Sequence, residues 1–164
     1  MADRAHGRRR PRRKGRAASD GERRQLAHAA RHPATPPSAP APGDWARLLC
    51  DGGSRGNPGP AAIAAVLLAP GGAVLDTRSE LIGRATAAEA EYRAIRFGLE
   101  LASGAPEIEV RSDSQLAISR LLVGEGPEDV LDAARAFRDV RWVWHPRAAN
   151  EAADALVREL LWPI

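Results

Sequence analysis

Four acidic residues occupy positions where their carboxylates can act together. Asp51 follows the apolar run 48–50, and Asp113 follows a stretch in which apolar and polar residues alternate. If these two stretches are neighbouring parallel strands, both carboxylates lie at the carboxyl edge of one sheet, where α/β folds place ligands. Glu91 lies on or beside the apolar face of a predicted helix, and Asp154 lies in the first turns of the last predicted helix, beside apolar positions.

Carboxylates that converge repel one another unless a cation lies between them. Sites made only of oxygen ligands suit hard divalent cations. Each of the four acids by itself is more typical of a helix cap or a solvated surface. Their combination on strand ends and helix faces of one small domain predicts a site for Mg²⁺ or Mn²⁺.

The segment that begins at Asp51 is rich in glycine. Residues 51–60 contain four Gly, two Pro and one Asn, so their backbone can turn tightly and approach a ligand closely. The glycine spacing matches neither the dinucleotide-binding fingerprint nor the P-loop, and Pro58 and Pro60 prevent the segment from opening a helix. A hairpin connection explains the glycines but not the acid before them.

The elements that position these residues follow from periodicity and turn signals. Three strands joined by tight turns predict an antiparallel meander. A capping box at Thr86 and Glu89 marks the start of a helix that ends near Gly104. Strands and helices then alternate, and Asn150 is a candidate cap for the last helix. The predicted strands are 46–50, 61–69, 73–82, 107–112 and 140–144, and the helices after the first are about 114–123, 128–137 and 150–161. The pattern predicts an α/β fold with a mixed sheet and helices packed on it.

Charge divides the chain into two unlike parts. Residues 1–44 hold 11 of the 24 Lys and Arg but only 4 of the 21 Asp and Glu. We expect them to form a disordered basic arm with a Pro- and Ala-rich linker, and we expect residues 45–164 to form one folded domain. The basic block between Arg8 and Arg16 is suited to binding nucleic-acid phosphates, although a solvated tail is an equally good interpretation.

Cysteine usage and hydropathy limit the cellular setting. A single Cys excludes an intramolecular disulfide framework and a structural zinc site built on cysteines, so we expect a cytoplasmic protein. The longest apolar run, 61–69, is too short to span a membrane, and charges occupy the place of a secretory signal. An organelle transit peptide is a less favoured interpretation of the arm, because its Pro-rich second half suits a linker better. We expect no membrane association and a monomer.

Four motifs, found in order, resemble those of type 1 ribonuclease H. They are DGGSRGNPGP at 51–60, TAAEAEYRA at 86–94, SDSQ at 112–115 and NEAADAL at 150–156. The likeness covers about residues 47 to 160. It implies a ribonuclease H-like five-stranded mixed sheet, with an antiparallel meander followed by parallel strands and helices packed on it. The form implied is the compact one, without the basic protrusion of the best-known bacterial members.

The resemblance also implies an activity and a site. The activity is hydrolysis of the RNA strand of RNA/DNA hybrids by a metal-dependent endonuclease that uses two Mg²⁺ ions, with Mn²⁺ as a substitute. The residues implied to bind metal and catalyse are Asp51, Glu91, Asp113 and Asp154. The residues implied to contact substrate are Gly52, Gly53, Asn57 and Arg147. In this scheme Asp51 bridges the two metals, and recognition depends on the RNA 2′-OH, which Glu91 also senses.

Three features depart from the family pattern. Ala87 and Ala88 stand where the family usually has two Asn that contact nucleic acid, and residues 124–132 carry four acids that would repel phosphates. His145 is a less favoured candidate for the loop histidine that assists catalysis in some members, and we prefer Arg147 as a phosphate contact. Two alternatives stay open: a non-catalytic or weakly active nucleic-acid-binding protein on the same fold, and another nuclease of the superfamily.

Overall fold

The computed structural model describes residues 41–164, so positions 1–40 of the predicted basic arm lie outside the described residues. Within the described range the strands are β1 (Ala46–Ser54), β2 (Gly59–Leu68), β3 (Val74–Ala85), β4 (Glu107–Ser112) and β5 (Asp139–Trp144). The α-helices are α1 (Ala87–Leu101), α2 (Gln115–Leu122), α3 (Glu128–Ala134) and α4 (Glu151–Leu161), and a 3₁₀ turn over Arg147–Asn150 leads into α4. None of the helices described here is long and apolar enough to cross a membrane.

The five strands form one mixed sheet in the order β3-β2-β1-β4-β5. The pairs β1–β2 and β2–β3 are antiparallel, whereas β1–β4 and β4–β5 are parallel. The sequence-based prediction of a meander followed by parallel strands is therefore confirmed. The tight turn predicted between β2 and β3 is present, and Gly72, with φ of 93°, adopts the left-handed conformation that this turn requires.

Strand β1 is longer than predicted. The predicted end was at Cys50, but residues 51–54 continue the strand by pairing with residues 61–64 of β2. The parallel pairing of β1 with β4 does stop at the pair Cys50 and Ser112. Asp51 and Asp113 are therefore the first residues beyond the last parallel pair, at the carboxyl edge where the acids were expected.

Helices cover the sheet on both faces. Strand residues alternate between faces, and Ile63 packs in the core cluster that includes α1, α2 and α3 residues, while its neighbours Ala62 and Ala64 pack against Val157 and Leu161 of α4. Helix α1 lies close to the sheet because of Gly98, where an added Cβ would lie 2.7 Å from the Cys50 Sγ. The site acids thus sit on elements that are packed from opposite sides of one sheet.

The N-termini of α1 and α4 differ in how they are capped. The capping box of α1 is present, with Glu89 N donating to Thr86 Oγ1 at 3.1 Å and Thr86 N donating to Glu89 Oε2 at 2.8 Å. Asn150 does occupy the N-cap position of α4, as predicted, but its side chain makes no capping hydrogen bond among the described residues. Its Nδ2 instead donates to the carbonyl oxygen of Cys50 at 2.9 Å.

A buried carboxylate in β4 holds the chain just before β1. Glu109 is fully buried, and it is paired with Arg111 and, at 3.7 Å, with the Nε of Arg47. Its Oε2 also accepts a hydrogen bond from the backbone N of Ala41 at 2.8 Å. The chain is therefore attached to the sheet before β1 begins, while the predicted domain boundary between residues 44 and 45 stays a prediction.

Candidate active site

A close approach of α1 to β1 places Glu91 beside Asp51. A Cβ added to Gly52 would lie 2.3 Å from the backbone C and O of Ala90 and 2.7 Å from the backbone N of Glu91. Any side chain at position 52 would push α1 away from the strand. This glycine therefore sets the distance between the two acids.

Three of the four predicted acids converge. Asp51, Glu91 and Asp113 each offer one carboxylate oxygen, and these oxygens lie within 4.8 Å of one another. Asp51 is buried, with 5% of its surface exposed, and the other two are half-buried. Three carboxylates this close, on three different elements, form a site with the oxygen-only chemistry that Mg²⁺ and Mn²⁺ prefer.

The electrostatics of the cluster fit a cation. Burial, together with the charges of Asp113 and Asp154, raises the pKa of Asp51 to about 7 against the opposing charge of Arg147. Burial and the charges of Asp51 and Asp113 raise the pKa of Glu91 well above its usual range. Burial likewise raises the pKa of Asp113. The buried Oε2 of Glu91 has no hydrogen-bond partner among residues 41–164. A bound divalent cation would satisfy this oxygen and favour the ionised form of every acid in the cluster.

The fourth acid, Asp154, lies in the same cleft but is held differently. It is 6% exposed, and together with the other three acids it lines a cleft of about 260 Å³. Its carboxylate is paired with Arg147 Nη2 at 2.9 Å and with Arg158 Nε at 2.8 Å. The two arginines offset its charge, so Asp154 flanks the three-acid cluster rather than joining it.

The residues predicted to contact substrate fall into two groups. Gly52, Gly53 and Arg147 line the cleft. Asn57 does not: its Oδ1 accepts a hydrogen bond from the backbone N of Ala87 at 3.0 Å. That amide is at the first position of α1 and has no partner within the helix, so in this structure Asn57 ties the β1–β2 loop to the helix that carries Glu91.

His145 lies outside the cleft. It is 5% exposed, and its Nε2 lies 2.9 Å from Asn150 Oδ1. Burial is the main cause of a lowered pKa for this imidazole. The side chain of Arg147, in contrast, is 73% exposed beside Asp154, and its role as a phosphate contact stays a prediction.

Two further residues that contact the acids of the cleft were not singled out from sequence. Arg158 stands four residues after Asp154, and this i,i+4 spacing of opposite charges on a helix was a usable signal. Trp144 is 44% exposed, and its Nε1 donates to the carbonyl oxygen of Asp113 at 3.1 Å. No local signal marked Trp144, because its partner lies 31 residues away, just beyond the end of β4.

The acidic segment 124–132 is less repulsive than its composition suggests. Asp129 is paired with Arg96 at 3.1 Å, and Asp132 is paired with Arg135, which also lies 3.5 Å from Glu128. Three of its four acids thus have arginine partners. The segment forms a short helix in this position, as expected for a chain without a basic protrusion.

Comparison with known proteins agrees with this geometry. A family model described as reverse transcriptase-like matches residues 49–160. The ribonuclease HI of Halobacterium salinarum is 42% identical in an alignment of 123 positions that covers 68% of this chain and 61% of that protein. This chain therefore spans about three fifths of the length of that curated relative.

Two solved structures share the fold over nearly their whole length. The N-terminal ribonuclease H domain of a Mycobacterium tuberculosis protein is 34% identical, with a TM-score of 0.67 over 71% of this chain and 98% of that one. LC11-RNase H1, solved in complex with an RNA/DNA hybrid, is 33% identical, with a TM-score of 0.64 over 71% of this chain and 96% of that one. Sequence, fold and site agree: this chain belongs to the reverse transcriptase-like family and, within it, to the type 1 ribonuclease H proteins.

Proposed function

We propose that this protein is an endonuclease that hydrolyses the RNA strand of RNA/DNA hybrids with the help of two divalent cations, Mg²⁺ or Mn²⁺. The observation that carries the proposal is the convergence of Asp51, Glu91 and Asp113 within 4.8 Å, with an unpartnered buried oxygen on Glu91. The hybrid as substrate is supported by the family and by the complex of LC11-RNase H1 with an RNA/DNA hybrid.

The residues divide the work according to their surroundings. Asp51, Glu91 and Asp113 would hold one cation, and Asp51 with Asp154 would hold the other. The shared position of Asp51 is supported by its pKa, which the charges of both Asp113 and Asp154 raise. When bound, the cations supply an activated water as nucleophile and stabilise the leaving 3′-oxygen.

The cleft also supplies substrate contacts. The exposed guanidinium of Arg147 has donors left over from its pair with Asp154, and it would bind a phosphate of the hybrid. Gly52 and Gly53 line the cleft beside the acids and would lie along the hybrid. Asn57 would lie along the hybrid from the loop next to α1, and the basic arm would bind phosphates farther away.

The proposal also covers the cellular compartment and the oligomeric state of the protein. Cys50 is buried and forms no disulfide, which suits the reducing cytoplasm. We expect the protein to act there as a monomer, because all four acids of the cleft belong to one chain.

The direct test compares three end-labelled substrates: RNA/DNA hybrid, double-stranded RNA and duplex DNA, each with Mg²⁺ and with Mn²⁺. We expect cleavage of the RNA strand of the hybrid, and loss of that cleavage in Asp113→Asn. Cleavage that survives in Asp113→Asn would refute the site. Binding of hybrid without cleavage under either metal would favour the non-catalytic alternative, and preferred cleavage of duplex DNA would favour another nuclease of the superfamily.

A further inference from the structure

A buried chain of hydrogen bonds joins two parallel strands to the start of α4. The backbone N of His145 donates to the carbonyl oxygen of Ser112 at 3.1 Å. The Nε2 of His145 lies 2.9 Å from Asn150 Oδ1, and Asn150 Nδ2 donates to the carbonyl oxygen of Cys50 at 2.9 Å. His145 is 5% exposed and Asn150 is fully buried. We call His145 and Asn150 the buried clip.

The bonding pattern fixes the proton on the imidazole. Because the Asn150 Nδ2 donates to Cys50, the Oδ1 of the same amide is the atom that faces His145. An amide oxygen only accepts, so the Nε2 of His145 must carry a proton. Flipping the amide would set its oxygen against the Cys50 carbonyl and lose that hydrogen bond.

Each group that the buried clip holds is close in sequence to an acid of the cleft: Cys50 to Asp51, Ser112 to Asp113, and Asn150 to Asp154. Cys50 and Ser112 form the last parallel pair of β1 and β4. Beyond that pair no ladder hydrogen bond between these two strands sets the spacing of the next residues. The buried clip spans this end of the ladder and attaches α4 to it.

We propose that His145 and Asn150 are positioning residues, which set the spacing of Asp51, Asp113 and Asp154 and thereby the affinity of the cleft for divalent cations. The inference rests on the proposed function, in which these acids are metal ligands. Neither residue touches the cleft's ligand atoms, and each acts through the backbone next to an acid. Partners that orient metal ligands from outside the coordination sphere commonly change metal affinity 10- to 100-fold when they are removed.

The test measures Mn²⁺ affinity of the full chain by calorimetry. His145→Phe keeps an aromatic ring but removes the donor to Asn150, and His145→Gln keeps an N–H donor at a similar reach. We expect the Phe variant to bind Mn²⁺ at least about tenfold more weakly and the Gln variant to stay within about threefold of the wild type. Val130→Ala is the matched control, because it truncates a buried side chain on α3 and should lower the melting temperature without changing the affinity.

Several outcomes would overturn the proposal. One is wild-type affinity in His145→Phe; another is an affinity loss in Val130→Ala equal to that in His145→Phe. Should the Phe variant fail to fold, His145→Asn serves instead, because its amide is too short to reach Asn150. Imidazole ¹⁵N spectra give a metal-free readout: we expect a proton on Nε2, and an unprotonated Nε2 would contradict the clip.

The result also separates this proposal from the proposed function. A wild type that binds Mn²⁺ without cleaving hybrid refutes the nuclease, while the variants' affinities still decide the role of the clip. A wild type that binds no Mn²⁺ refutes both.

Discussion

Asp51 is the acid whose pKa is raised by the charges of two other acids of the cleft. It is the most buried of the three converging acids, and its pKa rises to about 7 through burial and through the charges of Asp113 and Asp154. In the absence of a cation, the folded protein therefore retains protons at neutral pH that the unfolded chain has released. The acids that suit the site to a metal also make the metal-free fold less stable.

The free energy of unfolding of the metal-free protein is expected to fall as pH rises from about 4 to about 7. In this interval Asp51 is still protonated in the folded state, whereas in the unfolded chain it ionises near its ordinary pKa of 3.8. The folded state thus binds more protons and is destabilised as they leave. A shift of this size corresponds to a loss of up to about 4 kcal/mol over the whole interval, measurable by urea unfolding at several pH values from 4 to 8 in a chelating buffer.

The control for this prediction is a pair of isosteric variants. Asp51→Asn should flatten the pH dependence and raise stability at pH 8, whereas Glu159→Gln, which neutralises an exposed acid of α4, should leave both unchanged. Added Mg²⁺ should restore stability at pH 8 in the wild type and in Glu159→Gln but not in Asp51→Asn. Stability that rises from pH 5 to pH 8 in a chelating buffer would contradict the raised pKa of Asp51.

Replacing Arg147 by Ala is expected to raise KM for the hybrid more than it lowers kcat. The guanidinium is exposed, and Asp154 keeps its second partner, Arg158, at 2.8 Å when Arg147 is gone. Loss of one phosphate contact should reduce the slope of log KM against log salt by about 1. Steady-state kinetics between low and moderate salt provide the measurement.

Arg147→Lys is the matched variant, since it keeps the charge and should keep the salt slope. If Arg147→Ala lowered kcat and left KM unchanged, the guanidinium would act in the chemical step instead of in substrate binding.

At the scale of elements, the contact between α1 and β1 is the one on which the site depends most. Gly52→Ala places a methyl group where the backbone of Ala90 already lies, at 2.3 Å. We expect the helix to shift, with a loss of about 1 to 3 kcal/mol in the free energy of unfolding and a clear loss of metal affinity as Glu91 leaves Asp51. Thermal unfolding and Mn²⁺ calorimetry of the same sample measure both effects.

Gly71→Ala is the matched control for this prediction. Position 71 lies in the β2–β3 turn, and an added Cβ there meets no described heavy atom within 4 Å. The free energy of unfolding of Gly71→Ala should differ from that of the wild type by less than about 0.5 kcal/mol. Equal effects of the two substitutions would show that close packing at Gly52 does not control the site.

The fold was predictable where the signals are local. The capping box at Thr86 and Glu89 and the tight turn between β2 and β3 involve residues a few positions apart, and both are present. The end of β1 was mispredicted because Gly52 and Gly53 are typical of loops, whereas their pairing with β2 keeps them in the strand. The sequence near Asn150 suggested a helix cap, because it does not reveal the actual partner of the side chain, the Cys50 carbonyl, which lies 100 residues away.

The site was predictable in its residue types but not in its connections. The positions of Asp51, Glu91 and Asp113 follow from strand ends and a helix face, and the structure brings them together. The pair of Asp154 with Arg158 has a local i,i+4 signal, whereas its pair with Arg147 depends on how the 3₁₀ turn packs beside α4 and leaves little trace in the sequence. The roles of all these side chains in metal binding and catalysis stay predictions.

At the scale of the whole molecule, positive and negative charge are separated along the chain. Residues 45–164 carry 13 basic and 17 acidic residues, and most of the remaining basic residues are in the block 8–16. Deleting residues 1–40 is expected to raise KM for the hybrid, to reduce its salt dependence and to leave kcat nearly unchanged. Steady-state kinetics at several salt concentrations check this.

A variant with the basic residues of 8–16 replaced by Ser or Gln, at full length, separates charge from chain length. It should behave like the deletion. A salt slope that neither variant changes would show that the arm does not contact the substrate.

The hydrogen bond from Ala41 to the buried Glu109 attaches the chain to the sheet a few residues before β1 begins. The basic block ends at Arg16, about 25 residues earlier, and the Pro-rich stretch between them predicts an extended, semi-rigid spacer. A hybrid bound by the arm would then be held near the cleft at a raised effective concentration. A product strand released from the acids would stay within their reach, and one encounter would yield several cuts.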